Sequence, residues 1–277
     1  MKKIIKLISL IIILIIEGCA GIHQTQVNVI RLKGSDTMLL LTTRWAEEYM
    51  KYHPATSVYV EGGGSALGFK SLIKGEIDIC AASRPMRANE AHQLAEKYKK
   101  IGIGFWVAKD ALSIYLNPAN PVRNLSLIQL KDIFTGAITN WEQLGGENIP
   151  IKVIIRSPNS GTFLYFKEHA LYGEPYTPVA QTMATTAAVV NAVAENEAAI
   201  GYGGIAYGQN VIHCKINNVA PTEENVRNDF YPIIRYLYLY TIDTPRGEVK
   251  SFIDWVLKDG QKIVKQVGYI PIWEVPD

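Results

Sequence analysis

The chain has 277 residues, 48% of them hydrophobic, and a formal net charge of +2 at pH 7: enough apolar material for a substantial core, and too little charge for a broad nucleic-acid footprint. Its 3 cysteines and 5 histidines form neither a C-x-x-C pair nor an H-E-x-x-H motif, so a metal centre is not expected and no cofactor is implied.

Lys2, Lys3 and Lys6 precede an apolar run over residues 7–16. A membrane-spanning helix needs roughly 20 apolar residues, so the run reads as a secretory signal. The small residue Gly18 directly before Cys19 marks a lipoprotein processing site: residues 1–18 are expected to be removed, Cys19 lipidated, and residues 19–26 left as a linker. The alternative is an ordinary signal peptide cut slightly later. Either way the protein is exported, to the periplasm or cell surface. Removing residues 1–18 takes away three lysines and Glu17, which brings the +2 charge to 0, so any anion binding must be local. Of the remaining cysteines, Cys80 lies in an apolar run and reads as a buried thiol; a disulfide to Cys214 is possible but not required by spacing.

A strand over residues 27–32 leads through Gly34-Ser35-Asp36-Thr37 into a helix with Leu41, Trp45, Tyr49 and Tyr52 at helical spacing. A second strand, 58–60, runs through Gly62-Gly63-Gly64-Ser65 into a helix over 66–74. The apolar segment 104–116 is far longer than a typical strand of ~5–6 residues and can serve two sheets in succession. Residues 127–134 form a helix ended by Thr135-Gly136, and 140–146 a helix-and-turn unit. Strand 151–155 passes through Arg156-Ser157-Pro158-Asn159-Ser160-Gly161-Thr162 into a helix with Phe163, Phe166 and Ala170 inward. An alanine-rich helix (185–195), a buried strand (199–204), a second long strand (231–240) and two amphipathic helices (247–257 and 261–267) complete the chain. This alternation predicts an α/β fold with mainly parallel strands flanked by helices. The two long strands predict a middle domain inserted in an outer one, with crossings near 109–114 and 232–236. Lobe 1 would hold residues 27–111 and 236–277, lobe 2 residues 112–235.

Three strand-to-helix turns rich in glycine and hydroxyls can converge on one oxyanion. The first helical N–H groups lack intrahelical partners and sit at the positive end of the macrodipole. Gly161 admits close backbone approach, Ser160 and Thr162 can donate, and Arg156 offers a planar fork. Taken singly, each turn is equally readable as a capped helix. An enzyme acting on phosphate esters would also use such a cradle, but Leu67 breaks a G-x-S-x-G elbow around Ser65 and no metal-ligand cluster appears.

The motifs Gly34-Ser35-Asp36-Thr37, Gly62-Gly63-Gly64-Ser65, Asp78-Ile79-Cys80-Ala81-Ala82-Ser83-Arg84, Leu130-Lys131-Asp132-Ile133-Phe134-Thr135-Gly136 with Asn140-Trp141, the Arg156 segment and Ala199-Ile200-Gly201-Tyr202 occur in an order that resembles the phosphate-binding lipoproteins of bacterial phosphate ABC transporters. That family belongs to the type II periplasmic binding-protein class. The resemblance implies two lobes closing on dehydrated inorganic phosphate, two hinge crossings, a monomer, a membrane permease as partner, and no catalysis. It implies phosphate ligands among Ser35, Asp36, Thr37, the Met38 backbone, Ser65, Ser83 and Arg84 on one lobe and Arg156, Ser160, Gly161 and Thr162 on the other. Family members carry an aspartate where this chain has Ser83; the aspartate accepts the proton of hydrogen phosphate, which fully ionised sulfate lacks. Asp36 is the replacement candidate, or else an ordinary helix cap, and Arg84 a candidate second cation. The competing readings are a receptor for sulfate or molybdate, a phosphate-ester hydrolase, and a surface lipoprotein that keeps the fold without the ligand.

Overall fold

The computed structural model describes residues 27–273; the expected signal peptide, Cys19 and linker lie outside the described residues. Strand β1 (Asn28–Gly34) passes through a 3-10 turn (Asp36–Met38) into α1 (Leu39–Tyr52). Leu41, Trp45 and Tyr49 of α1 are buried as their spacing predicts, whereas Tyr52, in the last turn, is exposed. β2 (Thr56–Glu61), α2 (Ser65–Lys74), β3 (Ile79–Ala82) and α3 (Ala88–Tyr98) follow, and then the long β4 (Ile103–Leu116).

Beyond it come β5 (Asn124–Leu125), α4 (Leu127–Thr135), a 3-10 turn (Trp141–Leu144), β6 (Lys152–Arg156), α5 (Gly161–His169), β7 (Gln181–Met183), α6 (Thr186–Ala194), β8 (Ala199–Gly204), β9 (Ile212–Ile216) and α7 (Glu223–Arg227). The chain returns on β10 (Ile234–Thr241) and ends in α8 (Gly247–Leu257) and α9 (Gln261–Val267).

The strands form one curled sheet in the order β2-β1-β3-β10-β4-β8-β6-β7, with β9 pairing β4 and β5. Two parallel trios, β2-β1-β3 and β7-β6-β8, stand at opposite ends. The long strands join them antiparallel. β4 pairs β10 from Ile103 to Ala111, then changes partner and pairs β8 from Leu112 to Leu116. Parallel strands buried by helices on their faces read as short continuous apolar runs, which is why residues 153–155 are apolar without alternation and 199–204 carry no charge.

The core divides at the same place. One cluster draws Ile30, Leu32, Leu41, Trp45 and Val107 together with Leu237, Phe252 and Tyr269. Another packs Leu112, Ile114, Leu130, Phe134, Trp141, Phe166 and Tyr202. Cys80 and Cys214 are free and buried in different clusters, and burial pushes both thiols up, that of Cys214 to about 12. Among the described residues no helix is long and apolar enough to cross a membrane.

Candidate functional site

The turns that follow β1, β2 and β3 lie at one edge of the first half of the sheet, and the turn after β6 faces them from the second. Tyr269 Oη donates to the Thr37 carbonyl at 2.7 Å and Tyr207 Oη to the Asp36 carbonyl at 3.1 Å, which fixes the first turn from the C-terminal segment and from the loop after β8. Ser35 and Thr37 are buried, and the Met38 N–H donates to the Ser35 carbonyl at 3.0 Å. In the second turn Gly64 has φ +98°, a conformation that favours glycine. A Cβ there would also stand 2.7 Å from the Asn159 carbonyl of the opposing turn.

The opposing turn starts from Ser160, whose Oγ accepts from the N–H groups of Thr162 and Phe163 and so caps α5. Gly161 leaves no room for a side chain between the halves: a Cβ there would fall 2.6 Å from Ser83 Oγ, and closer still to Ser65 Oγ. Thr162 Oγ1 and Thr37 Oγ1 are 2.8 Å apart across the cleft. Ser83 N–H donates to Ser65 Oγ at 3.1 Å, with the two hydroxyls 3.4 Å apart. Asn159 adds a clasp through Nδ2 to the Gly63 carbonyl at 2.7 Å. The halves therefore meet as a closed, water-excluded seam of hydroxyls.

Arg156 is 1% exposed, so every donor of its fork must find a protein partner or a ligand. Nη1 donates to Thr186 Oγ1 at 2.6 Å; Nη2 donates to the Ala184 carbonyl at 2.9 Å and to Asp36 Oδ2 at 3.0 Å. Nε has no hydrogen-bond partner. Burial lowers the Arg156 pKa, and the Asp36 carboxylate opposes that shift. Asp36 spans the cleft: its other oxygen, Oδ1, accepts the Gly63 N–H at 2.8 Å. Its carboxylate thus orients Arg156 and the glycine turn, and makes no side-chain cap to the helix that follows.

The structure brings Ser35, Asp36, Thr37, Met38, Ser65, Ser83, Arg156, Ser160, Gly161 and Thr162 to one seam. The Arg84 guanidinium turns instead to α3, with Nη2 on Glu90 Oε1 at 2.6 Å and Nη1 on Glu90 Oε2 at 2.8 Å, beneath the Phe69 ring. Its charge is compensated within its own half, next to the Ser83 turn.

Sequence reasoning missed Arg235 and Asp110, which pair in register on the two crossing strands. Arg235 Nε donates to Asp110 Oδ2 at 2.9 Å, and Nη1 donates to Thr162 Oγ1 at 3.0 Å and to the Ser83 carbonyl at 3.3 Å. Both sit inside long apolar strand segments, where a charged residue signals a buried pair; that is the available clue. Burial raises the Asp110 pKa, and Arg235 opposes the shift.

A family model described as a PBP superfamily domain matches residues 21–259. The phosphate-binding protein PstS of Pseudomonas aeruginosa is 32% identical over 263 residues, covering 86% of this chain and 81% of its own. The PstS of Bacillus subtilis is 32% identical over 249 residues, covering 88% and 81%. The chain belongs to the PstS-like phosphate-binding protein family. A crystal structure of a phosphate ABC transporter substrate-binding protein from Clostridium perfringens, with bound phosphate, superposes with a TM-score of 0.83 at 31% identity, covering 89% of this chain and 100% of its own. A phosphate transport receptor from Vibrio cholerae follows at a TM-score of 0.73 and 30% identity, covering 88% and 100%. These neighbours establish the two-lobed type II architecture that the resemblance implies.

Proposed function

We propose that the protein is an extracytoplasmic receptor that captures inorganic phosphate between its two lobes and delivers it to the permease of an ABC transporter. The observation that carries this reading is the seam itself: Thr37 against Thr162, and Gly161 against Ser65 and Ser83, with the Arg156 fork behind them. A tetrahedral dianion stripped of water needs many convergent donors and a compensating cation, and hydroxyls are preferred where the ligand carries its own proton because they both donate and accept. The family is one of binding proteins, and the assignment is to transport without catalysis.

In this reading lobe 1 holds residues 27–111 and 236–277 and lobe 2 holds 112–235, so the partner change of β4 at Ala111 and Leu112 is the first hinge. Thr37, the Ser35 to Met38 backbone, Ser65 and Ser83 bind from lobe 1; Arg156, Ser160, Gly161 and Thr162 bind from lobe 2. Asp36 holds the Arg156 fork in position, and Arg84 supports the Ser83 turn through Glu90. The protein works as a monomer tethered by lipid on Cys19, because an N-terminal cysteine carrying several acyl chains satisfies the need for more than one anchoring signal. Mass spectrometry of the membrane-extracted chain checks the tether: residue 19 first and acylated supports it, Met1 retained rejects it.

Competition dialysis tests the ligand. Labelled phosphate should be displaced by unlabelled phosphate and resist a large excess of sulfate or molybdate. Equal displacement by sulfate would reassign the site to oxyanions in general.

A further inference from the structure

Arg235 is the second residue of β10 and 3% exposed, placed where the sheet passes from one lobe to the other. Its guanidinium reaches lobe 1 through the Ser83 carbonyl and lobe 2 through Thr162 Oγ1, and Thr162 in turn meets Thr37. We propose that Arg235 is a second cationic ligand of the phosphate site, carried on the hinge strand, where one guanidinium ties anion occupancy to closure of both lobes. The proposal rests on the phosphate-receptor reading and adds a group to that site.

Three features support a ligand over a purely structural pair. A buried Arg–Asp pair is a poor device for stability alone, since desolvation of both charges consumes the Coulombic gain and apolar residues of similar size serve as well. Asp110 does not exhaust the fork. Nη2 stands 2.8 Å from Asp110 Oδ2 but outside hydrogen-bond geometry, and it is one of the few buried side-chain polar atoms without a hydrogen bond among the described residues, as is Arg156 Nε. Finally, the two arginines sense each other, for the Arg235 charge disfavours the Arg156 cation. Each is matched by one carboxylate, Asp36 or Asp110. An anion among the shared hydroxyls relieves the repulsion between the two cations, and that relief is available only with the lobes together.

Calorimetric titration with inorganic phosphate of the parent, Arg235→Gln, Asp110→Asn and the double variant tests this. Arg235→Gln should lose about 30-fold or more in affinity, as expected when a charged partner is removed from a dehydrated site. Asp110→Asn uncovers the Arg235 charge and should bind about threefold or more tightly than the parent. The double variant carries no unpaired buried charge, so it tests the ligand role even if Arg235→Gln does not fold; it should remain weakened by about 30-fold. A double variant within threefold of the parent, or an Asp110→Asn weakened as much as Arg235→Gln, overturns the proposal and leaves a structural pair. Failure of the parent to bind phosphate would instead sink the receptor reading.

Discussion

At the scale of single residues, Arg156 is the group on which affinity should depend most. Its contacts with Thr186, Ala184 and Asp36 hold it rigid without exhausting its donors. Arg156→Ala should weaken phosphate binding by about 30-fold to several thousand-fold, the range for removing one charged partner in a buried site, and Arg156→Lys should fall between because it restores charge without the fork. Calorimetry within twofold of the parent for Arg156→Ala would refute the assignment. His213 governs a different property. Burial lowers its pKa, and Nδ1 lies 2.7 Å from Ser113 Oγ on β4. An unfolded histidine takes up a proton near pH 6.5 whereas the folded one resists it, so the associated stability is present above that pH and is lost as pH falls through the depressed folded value. Urea unfolding at pH 7.5 and 5.5 should therefore show a smaller loss of stability on acidification in His213→Gln than in the parent; an equal loss contradicts it.

At the scale of elements, the start of α5 is where the second half of the sheet meets the Ser65 and Ser83 turns. Gly161→Ala adds a methyl group that meets Ser83 and Ser65 in the closed state, while alanine at a helix start leaves the helix itself unharmed. The variant should keep its melting temperature within a few degrees and lose at least about tenfold in phosphate affinity, read by thermal melting and dialysis together. Unchanged affinity would mean that the halves need not approach this closely. The helices over 247–257 and 261–267 are legible in full from their apolar spacing, and the strand over 199–204 from a short uncharged run that ends in glycines. α3 escaped notice: along Ala88–Tyr98 only Glu90 and Leu94 are buried, so its apolar stripe is too thin to register. β9 escaped too, since its Ile-His-Cys-Lys-Ile run mixes types and owes its strand state to pairing with β4.

The same divide between local and long-range information governs the site. Hydroxyl and glycine turns are local signals, so Thr37, Ser65, Gly161 and Thr162 can be named from sequence as residues that the fold brings to one seam. Arg235 could not, because nothing local says that residue 235 will stand across from residue 110 and beside residue 162. Sequence neighbours alone point Arg84 toward the seam, and its partner Glu90 emerges only once α3 folds back.

At the scale of the whole molecule, two parallel trios joined by two antiparallel strands form a hinge that can close without breaking either core, since the apolar clusters divide near the point where β4 changes partner. In the proposed reading, closure places buried donors from both sides around one anion. The measurement that tests this most directly is the position of phosphate in a crystal of the complex. We expect one phosphate per chain within hydrogen-bond distance of Thr37 and Ser65 from one lobe and of Arg156 and Thr162 from the other. Phosphate seated elsewhere, or held by one lobe while the other stands apart, would contradict the account.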